Sequence, residues 1–131
     1  MENRGKRVVI IEDDQIQTIA LKQIVQRMGH SIVGMFLDPE IAISEIPELQ
    51  PDLILSDINL ETPVDGIDVI YQIQRTHTCP VIFLTGYSLH RMSERIHQID
   101  HSTILSKPYT VKELSKEIAT ALGETPDDGT I

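Results

Sequence analysis

Apolar residues along the chain fall into two kinds of pattern that take turns. Val8-Val-Ile-Ile11, Ser31-Ile-Val-Gly-Met-Phe36, Leu53-Ile-Leu-Ser-Asp57, Pro80-Val-Ile-Phe-Leu84 and Thr103-Ile-Leu-Ser106 are short runs rich in branched residues, and each predicts a buried strand. Between them, apolar residues recur at helical spacing. Ile16, Ile19, Ala20, Ile24 and Met28 form the first stripe, with Asp14 placed to cap it and Gly29 to stop it. Ile41, Ala42 and Ile46 follow Asp38-Pro39-Glu40, a helix expected to end near Pro47 and at the latest before Pro51. Ile67, Ile70 and Ile73 make the third stripe, up to about Thr76, and Met92, Ile96 and Ile99 the fourth, on a helix over 88–98. Thr110-Val-Lys-Glu113 is a capping box opening a last helix with Val111, Leu114, Ile118 and Leu122 on its core face and Gly123 at its end.

Five strands alternating with five helices through short loops predict a doubly wound α/β domain. Right-handed crossovers leave few topologies, and the expected one is a five-stranded parallel sheet in the order 2-1-3-4-5 with helices on both faces. Residues 1–6 are polar and expected to be flexible, 7–123 form the domain, and 124–131 are expected to be a loose tail.

Composition narrows the function classes. At 131 residues, 40% hydrophobic, the chain suits one core, and its apolar runs fall far short of the roughly 20 residues of a membrane-spanning helix. A net charge of −9 repels phosphate backbones, so direct nucleic-acid binding is not expected. The lone Cys79, next to Pro80 and Val81, rules out an internal disulfide and fits a reducing, cytoplasmic setting. His90 and His97, with Arg91 and Arg95 nearby, lack a third metal ligand and read as a solvated helix face.

The chemistry gathers at the strand ends. The first strand runs into Glu12 and Asp13, the third into Asp57, the fourth into Thr85 and the fifth into Lys107. In a parallel sheet with this strand order, ligands sit beyond the carboxyl ends of the strands. Singly, each residue has an ordinary explanation as a cap, a turn or a helix breaker; their joint placement on one sheet edge does not. Three carboxylates crowded together call for a cation, and oxygen ligands of this kind suit Mg²⁺. A divalent ion, the Lys107 ammonium and the Thr85 hydroxyl would together stabilise charge on a transferring phosphoryl group. Asp57 at their centre is then a nucleophile able to form an aspartyl phosphate.

These segments, Val9-Ile-Ile-Glu-Asp-Asp14, Pro51-Asp-Leu-Ile-Leu-Ser-Asp57, Asp65-Gly-Ile67, Pro80-Val-Ile-Phe-Leu-Thr-Gly86 and Leu105-Ser-Lys-Pro-Tyr109, together resemble the receiver domain of bacterial two-component response regulators, a flavodoxin-like fold, over about residues 7–123. The resemblance implies Asp57 as phosphoacceptor, Glu12 and Asp13 as the acidic metal pair, and the backbone carbonyl of Asn59 as a further Mg²⁺ ligand. It implies Thr85 as the switch hydroxyl, Lys107 as the phosphoryl-binding lysine, a cis Lys107–Pro108 bond, and Asp14 as a helix cap. The expected partners are a sensor histidine kinase or phosphotransfer protein upstream and a downstream protein or fused output domain. The chain would be a signalling phosphoacceptor and not an enzyme, either standing alone or as part of a larger regulator or hybrid kinase. Tyr87, bulky and not acidic, predicts slow self-dephosphorylation.

Three positions depart from the family pattern. Ile104 stands where an aromatic switch residue is usual, the loop from Asp57 to Gly66 is one residue longer than the commonest form, and Asp100-His101 replaces the usual Gly-Ala turn. The rival expectation is a receiver-like interaction module that works without phosphorylation. Two others are weaker: a metal-dependent phosphatase would want an acid at Asn59, and a flavodoxin would want hydroxyls where the first loop is acidic.

Overall fold

The structure, a computed structural model, describes residues 5–57, 66–86, 96 and 99–124. Along the chain it forms β1 (Arg7–Ile11), α1 (Gln15–Arg27), β2 (Ser31–Phe36), α2 (Pro39–Leu49), β3 (Leu53–Asp57), α3 (Gly66–Gln74), β4 (Val81–Thr85), β5 (Ser102–Ser106) and α4 (Val111–Ala121). All strand pairs are parallel and the order is β2-β1-β3-β4-β5, as the alternating pattern predicts. The predicted helix over 88–98 lies outside the described residues except Ile96, which with Ile99 packs on the core. The longer loop after Asp57 and the tail from 125 onward are likewise outside them.

Because side chains alternate across a strand, the central strands feed two cores at once. Val8, Ile10, Leu53, Leu55, Ile82 and Leu84 pack with Leu21 and Val25 of α1 and Leu114 and Ile118 of α4. Val9, Ile11, Ile54, Val81 and Phe83 face α2 and α3 through Ala42, Ile46, Ile70 and Ile73. Burial on both faces is why these strands read as continuous apolar runs and not as alternation. Cys79 is buried, and burial pushes its thiol up to about 12, which keeps it an inert core residue.

The edge strand β2 has one irregularity. Its register against β1 jumps from Val8↔Ile32 to Val9↔Gly34. A Cβ on Gly34 would stand 2.8 Å from the Phe36 ring and 2.9 Å from Leu49, so a side chain there would have to displace the packing between β2 and α2.

Three expectations about helices need correction. The buried face of α1 is Thr18, Leu21 and Val25, whereas Ala20 is exposed and Ile16 and Ile19 are 79% and 56% exposed. The helix carries two overlapping apolar stripes, and the one that packs includes Thr18, whose hydroxyl donates to the Asp14 carbonyl (3.0 Å) and so can be buried without loss. In α4 the core face is Leu114, Ile118 and Ala119, while Val111 in the first turn is 59% exposed; in α2, Ile41 is also exposed. The end of α2 is where the sequence bounds it, just past Pro47 and short of Pro51: the helix runs to Leu49 and stops on Gln50 in the left-handed region (φ 52°). Its last carbonyl is held by another element: the Arg7 guanidinium donates twice to the Leu49 carbonyl (2.6 and 3.0 Å), and Leu49 packs on the core.

The caps at Asp14 and Asp38, the Thr110–Glu113 capping box and the positive φ of Gly29 and Gly123 follow the sequence reading, and the Lys107–Pro108 bond is cis. The unusual Asp100-His101 turn is held from outside. The Gln74 amide donates to the Asp100 carbonyl (2.9 Å) and accepts its N–H (3.1 Å), which fixes the turn in which His101 takes φ 57° without being glycine. Gln74→Ala is expected to cost about 1–2 kcal/mol, a melting point lower by a few degrees in a thermal scan. An unchanged melting point would show that the turn holds itself.

Candidate functional site

The site is assembled at the carboxyl ends of β1, β3, β4 and β5. β1 delivers Glu12, whose N–H bonds the Phe36 carbonyl of β2 (3.0 Å) and which is only 3% exposed. Asp13 follows it, exposed at the rim. Asp57 closes β3 opposite Leu84 of β4, so the next residue of β4, Thr85, stands one step beyond it and is fully buried. Lys107 follows β5; its backbone N–H donates to the Thr85 carbonyl (2.7 Å), which ties the start of the β5–α4 connection to the end of β4.

Four of the predicted residues meet directly. Carboxylate oxygens of Glu12, Asp13 and Asp57 all lie within 4.8 Å of one another. The Lys107 ammonium donates to Asp57 Oδ1 at 2.7 Å in a partly buried ion pair. The electrostatics follow from crowding. Burial, together with the neighbouring Asp57 charge, pushes the Glu12 carboxyl up from 4.5 to about 7, against the opposing bond from the Asp14 N–H (3.2 Å) to Glu12 Oε2. Burial by itself would lower Lys107, but the hydrogen bond and charge of Asp57, with the charge of Glu12, outweigh it and hold the ammonium above the ordinary lysine value.

Whether a divalent cation suits this place is decided by the oxygen atoms. Glu12 Oε1 is buried and has no hydrogen-bond partner among the described residues, although its sister oxygen has one. With all three carboxylates ionised, their charge of −3 and the +1 of Lys107 leave −2. A hard dication with oxygen ligands fits both the orphaned atom and the charge. Asp14 stays outside this cluster. Its Oδ1 accepts from the Ile16 and Gln17 N–H groups (2.9 and 3.3 Å), which is the cap role expected of it and holds its carboxyl below the usual range.

Asn59 and Tyr87 lie outside the described residues. Ile104, opposite Phe83 in β4, is partly buried against the core shared with α2 and α3. One site residue was missed in the sequence. Gln17, on the first turn of α1, accepts from the Lys107 ammonium at 3.0 Å. A glutamine beside an amphipathic stripe looks like any solvated position, and only the rotation of α1 described above aims it inward.

The sequence pattern of the response regulator receiver domain matches residues 8–119. The chain belongs to that family. Transcriptional regulatory protein PdtaR of Mycobacterium tuberculosis is 30% identical over 118 residues, covering 89% of this chain and 57% of PdtaR. The signal receiver domain of a modulated diguanylate cyclase from Desulfovibrio desulfuricans G20 superposes with a TM-score of 0.80 at 26% identity, covering 92% of this receiver domain and 95% of that one. Response regulator PhyR from Brucella abortus gives 0.79 at 28% identity, over 92% of this chain and 49% of PhyR. This receiver domain thus spans about half the length of the curated relatives it matches, 57% in the case of PdtaR. Receiver domains are signalling domains that bind Mg²⁺ at an acidic site and interact with histidine kinases or phosphotransfer proteins and with output domains. Among the described residues no helix is long and apolar enough to cross a membrane.

Proposed function

We propose that residues 7–123 form the phosphoacceptor module of a cytoplasmic two-component phosphorelay, with Asp57 as the residue phosphorylated. The reading rests chiefly on one observation: a carboxylate at the end of a central strand is in contact with an ammonium at 2.7 Å and within 4.8 Å of two further acids.

In this reading a carboxylate oxygen of Asp57 attacks the phosphorus of a phosphohistidine on a partner kinase or phosphotransfer protein. A P–O bond forms, the P–N bond breaks, and the imidazole leaves with the electron pair and is protonated. Glu12, Asp13 and Asp57, with the carbonyl of Asn59, would hold Mg²⁺, which supplies positive charge to the phosphoryl oxygens. Lys107 exchanges part of its hold on Asp57 for a phosphoryl oxygen, neutralising charge as it moves. The Thr85 hydroxyl donates a hydrogen bond to another. Because the Lys107 N–H is bonded to the Thr85 carbonyl, movement at either residue is passed to the end of β4 and the start of the β5–α4 connection, a surface an output partner can read.

Incubation with a small phosphodonor and Mg²⁺ is expected to add one phosphate per chain, seen as a single mass increment, and to add none after Asp57→Asn or with excess chelator. Undiminished incorporation by Asp57→Asn would overturn the assignment. No incorporation by the wild-type chain would favour a receiver-like module that binds partners without phosphorylation.

A further inference from the structure

We propose that Gln17 is a positioning residue for phosphoryl transfer, holding Lys107 in place independently of Asp57. The inference rests on the phosphoacceptor reading and adds to it a residue that neither the family pattern nor the sequence pointed to. Lysine carries its charge on a flexible four-carbon stem with three donors, so one contact fixes the ammonium poorly. Among the described residues it has two: Asp57 Oδ1 at 2.7 Å and Gln17 Oε1 at 3.0 Å.

The amide is itself oriented. Its nitrogen faces Asp14 Oδ2 at 3.4 Å, at the long end for a hydrogen bond, while Asp14 Oδ1 is occupied by the first N–H groups of α1. The opposite orientation would set the amide NH₂ against an ammonium and its oxygen against a carboxylate. A chain of contacts therefore runs from the helix cap to the acceptor: Asp14, Gln17, Lys107, Asp57.

The consequence appears when Asp57 reacts. Converted to an acyl phosphate, Asp57 gives up carboxylate charge and loosens its hold on the ammonium. Gln17 is neutral and unaltered by the transfer, and it lies on a helix fastened by Leu21 and Val25 to the sheet. It keeps the ammonium near the place where phosphoryl charge develops, and a pre-placed charge accelerates transfer more than one that must be recruited.

The test uses Gln17→Met, which keeps length and helix propensity but removes the oxygen acceptor. Two readouts are taken. The first is the Lys107 ammonium resonance in nitrogen–proton spectra, whose protection from exchange reports how firmly it is held, measured in wild type, Gln17→Met, Asp57→Ala (which removes the acceptor oxygen) and the double variant. The second is the saturation curve for a small phosphodonor, which separates the maximal rate from the half-saturating concentration.

Protection is expected to survive in Asp57→Ala and to be lost in the double variant. In Gln17→Met the maximal rate should fall about tenfold with half-saturation changed less than about twofold. Equal protection in Asp57→Ala and the double variant would overturn the proposal, as would lost protection in Gln17→Met with an unchanged maximal rate. A fall caused only by local unfolding would move half-saturation as well, and would also count against it. If wild type and variant alike take no phosphate, the phosphoacceptor reading fails and takes this role with it, a result recognisable because the wild type itself is inactive.

Discussion

Lys107→Ala is expected to slow phosphorylation of Asp57 by a small phosphodonor by about 10²-fold, about 2.7 kcal/mol of transition-state stabilisation. The ammonium sits 2.7 Å from the carboxylate oxygen and is partly buried, where a charge is less screened than at the surface. Among the described residues nothing else positive is in this contact, and the other partner of Lys107 is the neutral Gln17. The effect on stability should be far smaller, about 1 kcal/mol or less, since an ion pair with side chains 25% and 15% exposed is still partly screened. Saturation kinetics with the purified variant check this. A rate within threefold of wild type would mean that the lysine does not act on the phosphoryl group.

Glu12→Gln should have two large and opposite consequences. Its carboxyl is held at about 7 in the native chain against 4.5 as its unperturbed value. Between those values the native state keeps a proton that the unfolded chain has released, so native binds more protons than unfolded and stability falls as pH rises. The cost is complete above about pH 7 and absent below about pH 4.5. Glutamine does not ionise, so without metal the variant should be more stable than wild type at pH 8, by on the order of 2–3 kcal/mol, with the gain shrinking toward acid. The same change removes the carboxylate whose Oε1 is left without a partner among the described residues, so Mg²⁺ should bind at least tenfold more weakly and no longer raise the melting temperature as it does in wild type. Thermal scans across pH, with and without Mg²⁺, check both. Equal stability of variant and wild type at pH 8 would contradict the buried-charge account; undiminished stabilisation by Mg²⁺ would remove Glu12 from the metal site.

Much of the architecture was legible because parallel strands buried on both faces leave an unmistakable record. Val8–Ile11, Leu53–Leu55 and Val81–Leu84 have no polar alternation to confuse with a helix, and handedness narrows the sheet order to a few topologies once five such runs are found, the expected 2-1-3-4-5 among them. The convergence of Glu12, Asp13, Asp57 and Lys107 was legible for the same reason, since each follows directly from a strand whose direction is fixed. Helix rotation was not. In α1, Ile16 and Ile19 compete with Leu21 and Val25, and the side that packs carries the polar Thr18, which counts against it on hydrophobicity although its hydroxyl is satisfied by the Asp14 carbonyl. That same rotation hid Gln17. Nor was the partner of α2's last carbonyl legible, because the group that holds the carbonyl of Leu49 is Arg7, 42 residues earlier. The turn at Asp100-His101 is a similar case, held by Gln74 across 26 residues. What local sequence leaves open is what distant side chains decide.

The central claim is that Asp57 carries the phosphoryl group, and chemical trapping of the acyl phosphate tests it most directly. Chain phosphorylated with a small phosphodonor and Mg²⁺ is treated with borohydride, which reduces an acyl phosphate of aspartate to homoserine, and the trapped residue is located by peptide mass spectrometry. The account predicts homoserine at position 57 and at no other position. Trapping at Asp13 or Asp52, or reduction of Glu12, with Asp57 intact, would contradict it.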